Sequence, residues 1–357
     1  MSISSEIKND LMDGNKFSKL SKILGSHIVK VKEIKNSNNC RVDFVLCENK
    51  KGYAIKSYYP FDTDKRDRMY IEYTSLQSLW RNGVKSIPKP IAINRAEHFA
   101  VYSFIEGSSI SSNDVGENDI DCATNFLKKL YGLKLTKESN SLPLASEACF
   151  SVHEIVNNIE MRYNNLIALY REEELGPELH EFLEKEFIKR FYDIVNWTKI
   201  KLTEKGGSYV QRLDSIYWTL SPSDFGFHNA IRKDNGDIVF LDFEHFGWDD
   251  PAKLISDFLF HPKMNLDLKL KKKFVDNMLS IFSSDNTLKY RFEILYPLFA
   301  LKWCLICLNE FLPNNFMKRK FAYRQNLDKI DILKQQLLKA KKILDIVEQT
   351  YKEFPYK

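Results

Sequence analysis

The stretch that most constrains this chain is residues 221–257, Ser-Pro-Ser-Asp-Phe-Gly-Phe-His-Asn-Ala, then a strand, then Leu-Asp-Phe-Glu-His-Phe-Gly-Trp-Asp-Asp-Pro. Asn229 follows Asp224 by five positions, and Asp242 follows it by eighteen, across a hairpin whose turn is Asp234-Asn235-Gly236. The apolar run Ile238-Val239-Phe240-Leu241 reads as a buried strand that ends at Asp242. Three hard-oxygen side chains therefore converge at the end of a buried hairpin. One carboxylate can accept a proton from a hydroxyl, while an amide oxygen and a second carboxylate suit Mg²⁺, which takes few protein oxygens together with phosphate.

On these residues the chain resembles the aminoglycoside phosphotransferase and choline kinase-like family. The family pattern is His-Gly-Asp, four residues, Asn, then a hydrophobic strand ending in Asp-Phe-Glu, and Asp224, Asn229 and Asp242-Phe243-Glu244 fit it. Pro222 stands where the family has His, a residue that braces the catalytic loop and does no chemistry. Phe-Glu after the aspartate separates the chain from true protein kinases, which have Phe-Gly there. The resemblance implies an α+β, two-lobed protein-kinase-like fold. Residues 1–104 would form a nucleotide-binding lobe with a small antiparallel sheet, and residues 105–357 a mostly helical lobe with the catalytic loop and acceptor pocket. It also implies that Asp224 orients the acceptor hydroxyl and takes its proton, that Asn229 and Asp242 hold Mg²⁺, and that ATP, or else GTP, is the donor.

Residues 28–34, 42–47 and 53–59 read as consecutive strands of a meander. Alternation puts Ala54, Lys56 and Tyr58 on one face, with Tyr53 and Ile55 on the other. A strand lysine is ordinarily a solvated residue, but Tyr-Ala-Ile-Lys is close to the kinase Val-Ala-Ile-Lys strand, whose lysine pairs with the α and β phosphates. The following segment, residues 67–82, has Met69, Leu76, Leu79 and Trp80 at helical spacing with Glu72 on the same stripe. A carboxylate on an apolar face needs a partner, and Lys56 lies sixteen residues upstream. The loop between the first two strands has no glycine, and Asn38 and Asn39 are its expected nucleotide contacts. Residues 99–104 form another strand, and in kinase-like folds such a strand leads to the hinge. Ser103 and Ile105 would then meet the adenine edge.

Residues 120–135, 151–172 and 177–205 carry apolar side chains at helical intervals, and Asp250-Pro251 reads as the start of a further helix. Asp257 is the expected brace for the catalytic loop in place of the missing His. Cys304 and Cys307 read as buried thiols in a core helix, and His228 as a loop-packing or substrate-edge residue. Residues 323–351 form a long amphipathic helix expected to pack on its own lobe. Lysines such as Lys269, Lys271 and Lys318 make the last third basic, which turns the expectation from polycations towards a neutral or anionic acceptor.

At 357 residues the chain is long enough for two lobes, and a net charge of +5 does not by itself point to nucleic acid. Six scattered cysteines suit a reduced, cytoplasmic protein. No export segment or membrane span is expected, because the first twenty residues are polar and residues 295–308 are interrupted by Lys302. The sequence thus reads as a small-molecule kinase acting on a hydroxyl, with a carbohydrate or cell-envelope precursor favoured by the aromatics and the lack of acidic bias. Pro222 and the glycine-free loop motivate a second reading, a nucleotide-binding pseudokinase scaffold. A protein kinase ranks lowest, since no Ala-Pro-Glu follows Asp242 at the expected distance. The sequence sets no oligomeric state.

Overall fold

Period-two alternation and turn residues between residues 28 and 58 build the first half of a sheet. The computed structural model describes residues 14–34, 40–59, 66–136, 138–171, 173–322 and 328–356. Helix α1 (Gly14–Leu24) precedes strands β1 (Ile28–Glu33), β2 (Cys40–Cys47) and β3 (Gly52–Tyr58). Helix α2 (Arg68–Arg81) then crosses to β4 (Pro90–Asn94) and β5 (Phe99–Ser103). The strands pair in the order β1-β2-β3-β5-β4, with β3 central and Lys56 opposite both Val42 and Ala100. Each face of the sheet has its own packing. Ile55, Val45 and Val101 join Leu20 of α1 in a small outer core, whereas Tyr58, Ala100 and Tyr102 belong to the large core that runs on into the second lobe.

Helix α2 starts where the sequence places it, because Asp67 accepts a hydrogen bond from the Tyr70 N–H at 3.0 Å and so satisfies one of the orphan donors of the first turn. Its buried stripe is Met69, Glu72, Ser75, Leu76 and Leu79. The chain leaves β5 through Gly107 into β6 (Ser108–Ser109). Gly107 has φ +146°, and a Cβ there would lie 2.3 Å from the Arg232 carbonyl oxygen. Only glycine fits this close approach.

The second lobe contains α3 (Glu117–Gly132), α4 (Val152–Ile167), α5 (Gly176–Glu181) and α6 (Ile188–Glu204). Next come β7 (Thr219–Ser221), β8 (Ala230–Arg232), β9 (Ile238–Phe240) and β10 (Gly247–Asp249), followed by α7 (Pro251–Phe260) and α8 (Leu268–Ile281). Three helices complete it: α9 (Leu288–Cys307), α10 (Pro313–Ala322) and α11 (Lys329–Thr350). Strands β8 and β9 are the expected hairpin, and β6 adds to its edge. Helix α9 packs against α4, α6, α7 and α11. Together with its extension to Phe311 it is long and apolar enough to cross a membrane, but 83% of that window is buried inside the protein. Cys304 and Cys307 lie within it as buried free thiols, and the Cys304 thiol donates to the Ala340 carbonyl of α11 at 3.3 Å.

Two helical expectations change. The helix expected to run to residue 172 ends at Ile167, and the one expected over 177–205 is divided by a π-helical turn at Phe182–Phe187. The wider turn keeps Phe182, Leu183, Phe187 and Phe191 all buried, a set that one straight α-helical stripe does not hold together. Helix α11 packs on its own lobe, and residues 323–327 lie outside the described residues.

Gly107→Ala is expected to lower the thermal midpoint well beyond Gly206→Ala. Gly206 also has positive φ (+72°), but nothing lies within 4 Å of its Cβ position, so alanine there costs only the backbone term, about 1–2 kcal/mol. Equal losses in the two variants would contradict the contact between Gly107 and Arg232.

Candidate active site

Lys56 points from β3 into the interior and is only 7% exposed. A buried ammonium is tolerated only when paired, and three carboxylates answer it: Glu72 at 2.6 Å, Asp242 at 2.8 Å and Glu244 at 3.4 Å. Glu72 is used on both oxygens. Its Oε2 also accepts from the Tyr58 hydroxyl at 2.6 Å, and its Oε1 accepts from the Phe243 main-chain N–H at 3.2 Å. The segment Asp242-Phe243-Glu244 is thereby tied to β3 and α2 through side chains and backbone alike. Burial alone would lower the Lys56 pKa, but Asp242 and Glu72 hold it well above its ordinary value, so the ammonium stays charged.

Glu244 in turn meets Arg68 at 3.1 Å and His245 at 3.4 Å. Burial pushes the His245 imidazole down, but the hydrogen bond and charge of Glu244 raise it on balance above the usual histidine value. Lys56, Arg68 and His245 thus face Glu72, Asp242 and Glu244. Asp242 itself has φ +66°, an uncommon conformation for a non-glycine residue, held in place by the Lys56 bond.

Asp224 lies on the loop after β7. Its Oδ1 is 3.1 Å from His228 Nε2 and 3.4 Å from His261 Nε2, while its Oδ2 accepts from the Asn229 amide at 3.2 Å. The two imidazoles stack at 3.7 Å and 4°. Burial alone would raise the Asp224 pKa, but His228, His261 and His245 hold it well below the carboxylate range. Burial pushes His261 down to about 3 against the pull of Asp224, which leaves it neutral at physiological pH. The Asn229 amide also donates to the Asp224 carbonyl at 3.0 Å, so its Oδ1 is the atom it can offer to a metal. The Asn229 carbonyl accepts from the Leu241 N–H at 2.7 Å, which places Asn229 beside the strand that ends at Asp242.

The loop is braced differently from expectation. At Pro222 the carbonyl accepts from the Asp224 N–H at 2.9 Å, and Ser223 takes φ +66°. Asp257 reaches the loop through Lys253. This lysine, 1% exposed, pairs with Asp249 at 2.7 Å and Asp257 at 2.8 Å, and donates to the Ser223 hydroxyl at 3.3 Å. Trp303 donates to Asp257 at 2.8 Å and sets its ring edge-on to His261 at 4.9 Å, joining α7 and α9 to the histidines around Asp224. Asp250 is the α7 N-cap, accepting from the Ala252 N–H at 2.8 Å. Lys253 and His261 were not singled out in the sequence, although His261 follows Asp257 by one helical turn.

A cavity of about 680 Å³ opens at Asp224, bordered on one side by Arg68 and His245 and on the other by Glu147, Arg162 and Lys302. Glu147 pairs with Arg162 and, at 3.1 Å, with Lys302. At the lobe junction, the Ser103 N–H is already bonded to the Lys89 carbonyl at 2.9 Å, which leaves the Ser103 carbonyl as its main-chain group for a ligand. Ile105 lines a second cavity of about 460 Å³ with Phe104, Gly52 and the hairpin turn at Lys233 to Asn235. Asn38 and Asn39 lie outside the described residues.

No protein-family model and no curated protein matches the chain. Solved structures do. A spectinomycin phosphotransferase crystallised with ADP and spectinomycin superposes with a TM-score of 0.65 at 13% identity, covering 96% of this chain and 100% of that one. The choline kinase of Streptococcus pneumoniae gives 0.56 at 15% identity over 93% of this chain and 98% of its own. An ethanolamine kinase of Plasmodium vivax gives 0.56 at 14% identity over 94% and 86%. At these identities the likeness is one of fold, and the chain adopts the two-lobed, protein-kinase-like α+β fold that these small-molecule kinases share.

Two measurements check the geometry. Lys56→Met and Glu72→Gln are each expected to cost about 3–5 kcal/mol in urea unfolding, because each strands a buried partner, and the double variant less than their sum. Strict additivity would separate the two residues. The second concerns acid stability. Burial pushes the Glu147 pKa up, but Lys302 and Arg162 hold it well below its ordinary value of 4.5. Its stabilising contribution is therefore present above that value and lost as pH falls below it. Glu147→Gln is expected to flatten the acid side of the stability profile below about pH 4.5, and an unchanged slope would contradict the pairing.

Proposed function

We propose that the protein is a Mg²⁺- and ATP-dependent phosphotransferase that acts on a hydroxyl of a small molecule. The observation that carries this reading is one cavity that borders the Lys56 cluster through Arg68 and His245 and reaches Asp224. Lys56, oriented by Glu72, would bind the α and β phosphates, with Ser103 and Ile105 at the adenine edge. Asn38 and Asn39 are proposed as further nucleotide contacts. Asn229 Oδ1 and the Asp242 carboxylate are hard oxygen donors that fit Mg²⁺, and when bound this ion supplies charge neutralisation on the phosphates.

In the reaction the acceptor oxygen bonds to the γ-phosphorus, the bond from that phosphorus to the bridging oxygen breaks, and ADP leaves. The hydroxyl proton passes to Asp224. A carboxylate held well below its usual range is a weak base, so Asp224 acts mainly by orienting the hydroxyl, as a loose phosphoryl-transfer transition state requires. Carbohydrate chemistry suits the acceptor, with Trp303 as an aromatic wall of the cavity. Free thiols at all six cysteines support a reducing, cytoplasmic setting.

The test is thermal stability with ATP or GTP, with and without Mg²⁺, in wild type and Asp242→Ala. A metal-dependent upward shift is expected in wild type and should vanish in the variant. Asp224→Ala is expected to keep the shift and to lower the transfer rate by at least about a hundredfold. Absence of any shift in wild type, or full transfer by Asp224→Ala, overturns the assignment.

A further inference from the structure

Beyond Asp224 the cavity has an excess of positive charge that phosphoryl transfer itself does not require. Eight Lys and Arg side chains line it against four Asp and Glu; the carboxylates are already engaged, and of the cations Arg68 is met by Glu244 and Lys253 by Asp249, neither of which lines the cavity. Glu147 is shared by two cations, Arg162 and Lys302; Asp257 pairs with Lys253; and Glu310 pairs at 2.9 Å with Arg319, which does not line the cavity. Asp224 is held by its histidines. What remains lies at the end lined by α4, α9, α10 and α11, with Arg162 of α4, Lys302 of α9 and Lys339 of α11. Lys302 and Lys318 are 1% and 7% exposed. The amides of Asn309, Asn315 and Gln336 line the same region and add neutral donors. Lys263 and Lys339 are exposed lining residues of this wall.

We propose that this end of the cavity binds an anionic group of the acceptor, a phosphate monoester or a carboxylate, while the reacting hydroxyl lies at Asp224. The inference rests on the phosphotransferase reading and narrows its substrate to a hydroxylated, carbohydrate-like acid or phosphate ester. Converging ammonium and guanidinium groups form charge-assisted bonds to such oxygens, whereas an amine-bearing acceptor would meet like charge.

Binding is measured by calorimetry on the full chain with ADP and Mg²⁺ at saturation, so that the nucleotide site is filled. The probes are glucose, glucosamine, glucose 6-phosphate, galacturonate and inorganic phosphate. At least one anionic sugar is expected to bind ten or more times tighter than glucose, with glucosamine weakest, and the better of the two identifies phosphate or carboxylate. Its affinity is expected to fall as salt rises from roughly 50 to 500 mM, and Lys339→Glu and Lys263→Glu are each expected to weaken it roughly tenfold. Equal binding of the neutral and anionic sugars, indifference to both substitutions, or no binding by any anionic probe overturns the proposal. Nucleotide binding without anion binding sinks this inference alone. Anion binding without a Mg²⁺-dependent nucleotide shift keeps the anion site and removes the phosphotransferase reading.

Discussion

A single buried ammonium holds the two lobes in register. Lys56 is contributed by the central strand of the sheet, Glu72 by the helix that follows it, and Asp242 and Glu244 by the loop beyond the hairpin of the second lobe. Moving either lobe would strand charge in a medium where an unpaired ion costs several kcal/mol. Beside it, Glu244 is met by Arg68 and His245 as well. On the proposed reading, a polyphosphate reaching Lys56 would compete with Asp242 for its ammonium. A divalent cation would then hold that carboxylate and the phosphate together.

The same economy of contacts fixes Asp224. Its two oxygens are divided between histidines on one side and Asn229 on the other, and both Ser223 and Asp242 sit at positive φ on either side of the hairpin. Strained backbone of this kind survives only when surrounding contacts over-determine it. Here they come from Lys253, wedged between Asp249 and Asp257 and bonded to Ser223, and from the Trp303 edge against His261. A proline can stand at position 222 because the loop is supported from α7 and α9.

What was legible in the sequence was what local periodicity encodes. Two-residue alternation placed Lys56 on the inner face, three- and four-residue spacing placed Glu72 on the buried stripe, and a buried carboxylate opposite a buried ammonium implied the pair. The hairpin length brought Asn229 to the strand ending at Asp242. Illegible were the partners that arrive from far along the chain. His261 and Trp303 meet Asp224 and Asp257 only after α7 and α9 pack, and the π turn at Phe182–Phe187 leaves no mark in a pattern of apolar residues that still looks helical. Lys253 is legible as one residue of a capped helix, but of its two carboxylate partners the sequence gives a role, that of a brace, to Asp257 alone. The cation that joins them is defined by tertiary contact.

Lys302 was read as an interruption in the most apolar stretch of the chain, and the structure turns that interruption into evidence. A lysine buried in a core helix and paired with the partly exposed Glu147, as Lys302 is, is a poor device for stability, because apolar residues of similar volume are often neutral or stabilising in its place. Helix α9 already supplies such residues on every side, with Leu298, Phe299, Ala300 and Leu301 fully buried before it. A lysine at this position, sharing its one carboxylate partner among the described residues with an arginine, places an excess of positive charge at a cavity wall. On the proposed reading an entering anion would offset that desolvation cost, so the charge that weakens the core is the charge that would recognise the acceptor.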